Sequence, residues 1–126
     1  MEAKKLVPLE EYLHTDYSPD CDYVDGEIVE RNVGEFDHAN LQTEIALYLR
    51  SRYRKNGFVV VVEQRVQVSP TRFRVPDVCV TAAEFVEQIF RHPPFLVIEI
   101  LSPEDRASVL QKRVADYLGF GVATSG

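Results

Sequence analysis

Cysteine is scarce in this chain: Cys21 and Cys79 are the only two. They show no CxxC spacing, which argues against both a disulfide framework and a structural zinc site. Both are read as free thiols, with Cys79 buried in a strand. No apolar run approaches the roughly 18–20 residues that cross a bilayer. The opening Met1-Glu-Ala-Lys-Lys-Leu-Val-Pro lacks the apolar core of a signal peptide. The expectation is therefore a cytoplasmic protein with no membrane partner. Repeats, low-complexity stretches and inter-domain linkers are also lacking. An overall excess of positive charge is missing too, since the net charge is −6.

What is present belongs to an ordinary globular domain. The 126 residues are 45% hydrophobic and 27% charged, with a mean hydropathy of −0.17, enough for one domain with a modest core. The charge is unevenly spread. Residues 1–30 hold nine acids against Lys4 and Lys5, whereas the other 96 residues balance eleven acids with twelve bases. Arg50, Arg52, Arg54 and Lys55 cluster. That cluster is either a local basic patch or a set of solvated cations complementing a helix dipole.

Periodicity and turn chemistry give an element order. Pro8–Leu13 reads as a short helix and Thr15–Asp20 as a loop. Asp22–Glu30 reads as a hairpin turning at Asp25-Gly26, a dipeptide that tolerates positive φ at both central positions. His38 to about Lys55 reads as a helix whose apolar face carries Leu41, Ile45, Tyr48 and Leu49, ending at Asn56-Gly57. Phe58–Val68 reads as one strand, Ser69-Pro-Thr71 as a turn, and Phe73–Thr81 as the next strand, with Pro76 marking an edge, bulge or strand end. Ala82–His92 is a short helix or loop. Phe95–Leu101 reads as a strand buried on both faces. Ser102-Pro-Glu-Asp105 carries the signature of a helix start, with serine as N-cap. That helix runs to about Leu118, its apolar face formed by Leu110, Val114, Tyr117 and Leu118, and Gly119 or Gly121 closes it.

Two acids stand out within apolar strand sequence: Asp77 in Val75-Pro-Asp-Val-Cys-Val80, and Glu99 in Phe95-Leu-Val-Ile-Glu-Ile-Leu101. A carboxylate so placed is costly to bury unless it meets a cation or hydrogen-bond donors. The pair suggests a divalent-metal site. The alternative is a structural ion pair with an arginine such as Arg74. Hard cations such as Mg²⁺ need only one or two carboxylates, completed by water and phosphate, and they serve phosphodiester hydrolysis by polarising oxygen and activating water.

The order α-β-β-β-α around Pro76-Asp77 and Glu99-Ile-Leu101 resembles the PD-(D/E)XK restriction endonuclease-like fold. More narrowly, five segments resemble the Uma-two family of endonucleases. They are Tyr23–Glu30, His38, Arg74-Val-Pro-Asp-Val78, Val97-Ile-Glu-Ile-Leu-Ser-Pro103 and Asp116-Tyr-Leu-Gly-Phe-Gly-Val122. The resemblance implies an α/β (α+β) core with a central mixed sheet flanked by helices. Residues 1–126 would form one domain, with 1–34 an N-terminal helix and hairpin and 35–126 the core.

It also implies a Mg²⁺- or Mn²⁺-dependent DNA endonuclease, with Asp77 and Glu99 on the metal and Glu27 and His38 as accessory residues. The lysine found two residues past the second acid in this fold is replaced by Leu101. The family's alternative lysine position, four residues before the tyrosine, holds Arg113. Lys112 lies beside it, about 100° around the helix, so either Lys112 or Arg113 is the expected assisting cation. Glu44 is read as solvated and Asp105 as a helix-capping acid. Family members continue past the Gly-Val into further strands, so the last core strand is expected to be missing here. Its loss would favour a homodimer or another edge-strand partner. The competing reading is a catalytically degenerate nuclease-like module used for interaction or oligomerisation.

Overall fold

A computed structural model describes residues 5–125. The elements are α1 (Leu9–Leu13), β1 (Asp22–Val24), β2 (Glu27–Val29), α2 (Phe36–Tyr53), β3 (Phe58–Val62), β4 (Val66–Ser69), β5 (Arg72–Arg74), β6 (Val78–Ala82), β7 (Leu96–Ile98), α3 (Ala107–Phe120) and β8 (Thr124–Ser125). They build two four-stranded sheets, ordered β2-β1-β5-β4 and β3-β6-β7-β8. The hairpin turn has Asp25 at φ 49° and Gly26 at φ 95°, the two positive values that a tight two-residue turn demands.

The first sheet packs against α1 through aromatic side chains. Tyr12 is fully buried, with ring centroids 4.9 Å from Tyr23 and 5.4 Å from Phe73. The Arg65 guanidinium lies 4.1 Å above the Tyr12 ring and forks onto the Asp20 carboxylate. The second sheet is covered on one face by α2, where Ile45, Ala46 and Leu49 meet Val60, Val78 and Val80. Its other face meets β4 and α3, where Cys79 and Val97 pack with Val66, Phe90 and Tyr117.

Both strands read as long and continuous are broken, and the breaks shape the site. β3 ends where Glu63 takes a left-handed φ of 53°, and the chain leaves for the first sheet. It returns through Val75-Pro76-Asp77. Proline has no N–H for a ladder, and the Val75 N–H is spent on the Asp22 carboxylate. The β4–β5 hairpin is thus inserted between β3 and β6, which pair with each other from Phe58↔Ala82 to Val62↔Val78.

Other expectations need similar correction. Leu41 and Tyr48 are exposed. The inward face of α2 is instead His38, Gln42, Ile45, Leu49, a run at i, i+4, i+7, i+11 whose first two turns are polar. Phe95 and Leu101 are also exposed, and β7 spans only three residues because Ile100 N–H is given to Asp77 rather than to a strand. Ser102–Asp105 is a turn and not the start of α3. Asp105 accepts the Ser102 N–H and so stabilises that turn, and the helix begins at Ala107. Leu118 is exposed, and Gly121, at φ 114°, closes the helix. Of the closing strand expected to be missing, two residues are present: β8 pairs in parallel with β7. Among the described residues, no helix is long and apolar enough to cross a membrane.

Candidate active site

Strand register brings three acids into one row. Val62 pairs with Val78, and Val78 with Ile98. The next position along each of the three chains is Glu63, Asp77 and Glu99. Glu63 follows the last residue of β3, Glu99 follows the last residue of β7, and Asp77 precedes the first residue of the antiparallel β6, so all three lie at the same end of the second sheet. The Glu63 N–H reaches the Asp77 carbonyl at 3.4 Å, and the Gln42 side-chain amide donates to that carbonyl at 2.8 Å.

Asp77 is buried, and its two oxygens have different partners. Oδ2 accepts the Ile100 N–H at 2.6 Å. Oδ1 accepts from Arg31 Nη2 at 2.7 Å, and the same nitrogen donates to Glu63 Oε2 at 2.5 Å. His38 Nε2 stands 3.3 Å from Asp77 Oδ1 without making a hydrogen bond, and both ring nitrogens of this buried histidine are unpartnered. One guanidinium therefore neutralises two of the three acids.

Glu99 is handled differently. Tyr117 Oη donates to its Oε1 at 2.7 Å, and Arg113 Nη1 is 3.9 Å from its Oε2, too far for a hydrogen bond. Burial pushes the Glu99 carboxyl up to about 8, and the neighbouring Asp77 charge adds to the rise, against the opposing Tyr117 hydrogen bond and Arg113 charge. Near neutral pH this carboxyl holds a proton that a bound cation could replace.

Behind Glu99 runs an alternating series of charges. Arg113 Nε is 3.2 Å from Asp22 Oδ2, and Arg74 Nη1 is 3.2 Å from the same oxygen. Arg74 also bonds Asp116, which bonds Arg72, which bonds Asp25 at the hairpin turn. Arg74, the arginine named in the alternative ion-pair reading of Asp77 and Glu99, is thus committed to Asp22 and Asp116. Arg31 takes the place beside Asp77.

The remaining candidates are dispersed. Lys112 is exposed on α3, whereas Arg113 is buried towards Glu99. Glu27 opens β2, the outer strand of the first sheet. Glu44 is solvated on α2. Asp105 Oδ1 accepts from Asn32 Nδ2 at 3.0 Å, joining two loops. Those loops, residues 31–35 and 101–104, wall a cleft of about 450 Å³ whose lining includes Arg31 and His38. Glu99 and Arg113 face a separate narrow crevice of about 10 Å³.

Sequence reading missed Arg31, Glu63 and Asp22. Glu63 carries the same signal as Asp77 and Glu99, an acid at the end of an apolar strand sequence, here Phe58–Val62. Arg31 is the first base after a segment rich in acids, but only the fold brings it to residues 46 positions away.

The residues present offer a divalent cation only limited protein coordination. Among the described residues no three His, Cys, Asp or Glu side chains converge as a metal cage. Asp77 and Glu99, in neighbouring register positions, offer the two carboxylates that suffice for a cation completed by water and phosphate.

The two sheets with α2 and α3 form a restriction endonuclease-like fold. The chain belongs to the Uma2 family, described as "Putative restriction endonuclease", which it matches over residues 9–124. The fold is also that of the crystal structure of a "putative nuclease belonging to DUF820" from Anabaena variabilis. The TM-score is 0.83 at 22% identity, over 94% of this chain and 72% of that one. No curated protein matches the chain.

Proposed function

We propose that this protein is a Mg²⁺- or Mn²⁺-dependent endonuclease that hydrolyses DNA phosphodiester bonds at the Asp77–Glu99 pair. The observation that carries the proposal is the register, which sets these two acids opposite one another at the ends of paired strands. Asp77 and Glu99 would hold the cation. When bound, it supplies Lewis-acid polarisation of the phosphate and a more acidic water.

The chain's own residues set the rest. Burial of both acids keeps the site poorly solvated, so charges there act at a lower effective dielectric than in water. Arg113, 3.2 Å from Asp22 and 3.9 Å from Glu99, would stabilise negative charge developing on the phosphoryl group. Being always protonated, it cannot act as a base. Its position near Glu99 supports it over the exposed Lys112 as the assisting cation. His38 lines the cleft and its buried ring nitrogens are unpartnered, so it would orient a phosphate or water. We further take the enzyme to act in the cytoplasm, as a homodimer joined through a sheet edge such as β3.

A second reading has two specific observations in its favour: Arg31 already satisfies Asp77, and an arginine stands where the lysine is expected. On that reading the chain is a degenerate nuclease-like interaction module. Cleavage of supercoiled plasmid and single-stranded DNA with Mg²⁺ or Mn²⁺ separates the two. The proposal expects nicking by wild type that is lost with EDTA and in Asp77→Ala and Glu99→Ala. No cleavage under any condition supports the second, and metal-independent cleavage overturns the metal-dependent mechanism without supporting either reading.

A further inference from the structure

We infer that Arg31 is a built-in stand-in for the cation, a guanidinium that occupies the cation's ligand oxygen in the resting site and must be displaced when the ion binds. The inference rests on the cation-site reading above and extends it to what sets the site's affinity. Of the two Asp77 oxygens, Oδ2 is held by the Ile100 N–H, so the more readily freed oxygen is Oδ1. That is the oxygen Arg31 Nη2 takes at 2.7 Å.

The arrangement matches what an internal counter-cation requires. The Arg31 side chain is 1% exposed, so neither water nor bulk salt does this work in its place. Two carboxylates, from Glu63 and Asp77, converge on one nitrogen, which balances charges that would otherwise repel within the same row. Arg31 lies outside any helix or strand, in the loop that walls the 450 Å³ cleft, and its Nη1 also donates to the Asp20 carbonyl at 3.2 Å. Displacement by a cation requires the head to leave Asp77 Oδ1 for that space, with Glu63 and the Asp20 carbonyl as its remaining partners, and requires no strand to change register.

Competition for a single oxygen has a definite consequence. A cation must pay for displacing Arg31, so the wild-type affinity is weaker than the two acids alone would give, and removing the competitor tightens binding. Mn²⁺ alone serves as the probe, titrated into the full chain by calorimetry and by electron paramagnetic resonance. Arg31→Met is expected to bind Mn²⁺ about tenfold or more tightly than wild type, and to gain more thermal stability from saturating Mn²⁺. Equal or weaker binding by Arg31→Met, with wild type binding, overturns the stand-in role while leaving the cation site intact. Absence of binding in both overturns the cation site and this inference together.

If Arg31→Met fails to fold, Arg31→Gln provides the second variant. It removes the competing charge but keeps an amide donor for Glu63 and Asp77, so binding tightens several-fold. Equal or weaker binding in Arg31→Gln, with wild type binding, overturns the inference.

Discussion

Replacing Glu99 by glutamine should stabilise the metal-free protein, and only above acid pH. The folded carboxyl holds its proton up to about 8, against 4.5 for an unperturbed glutamate. Between those values the unfolded chain has released the proton and the folded chain has kept it. Folding then carries one extra proton, so stability falls as pH rises through this window and levels off above it. Each pH unit is worth about 1.4 kcal/mol, so the group costs about 2–3 kcal/mol between pH 5.5 and 7.5. Glutamine keeps the shape and can still accept from Tyr117 Oη, but it has no proton to lose. Urea unfolding in EDTA across pH 5 to 8 should give Glu99→Gln and wild type similar stability near pH 5. At pH 7.5 the variant should be the more stable by about 2–3 kcal/mol. Parallel profiles for the two proteins would refute the reasoning, because they would mean that Glu99 ionises normally in the folded state.

Four further outcomes follow from the same geometry. Asp22→Ala removes the acid shared by Arg74, Arg113 and the Val75 N–H, leaving buried cations poorly compensated, and should cost about 3–5 kcal/mol in urea unfolding. Tyr12→Phe deletes the buried 2.7 Å hydrogen bond to the Cys21 carbonyl and should cost about 1–2 kcal/mol by the same measurement. In plasmid cleavage, Arg113→Ala should lose about a hundredfold or more in rate, as when an oriented transition-state donor is removed. Lys112→Ala should stay near wild type.

Local chemistry was legible in the sequence wherever one stretch of chain decides the outcome. Asp25-Gly26 forces its turn, Gly121 ends its helix, and Pro76 interrupts a strand. Asp77 and Glu99 could be singled out because an acid in apolar sequence needs a partner. What that partner is could not be read. Arg74 is closer in sequence to Asp77, but β5 lies in the first sheet and carries Arg74 to Asp22 and Asp116. Arg31 arrives from a loop.

The two long strands misread as continuous show the same limit. Phe58–Val68 and Phe73–Thr81 alternate well enough to be single strands. Only the pairing of β3 with β6 reveals that a hairpin is inserted between them, and that insertion is what aligns Glu63 with Asp77. The face of α2 was misjudged for a related reason. Its first turns face buried acids, so the inward residues there are His38 and Gln42, and an apolar pattern points to Leu41 instead.

If Asp77 and Glu99 share one divalent cation, crystals soaked in Mn²⁺ and measured at the manganese absorption edge will show one anomalous peak between the two carboxylates. An oxygen from each will lie at about 2.1–2.2 Å from it, with Arg31 withdrawn from Asp77 Oδ1. A site with no peak, or with Mn²⁺ bound away from both acids while Arg31 stays in place, would contradict a shared cation.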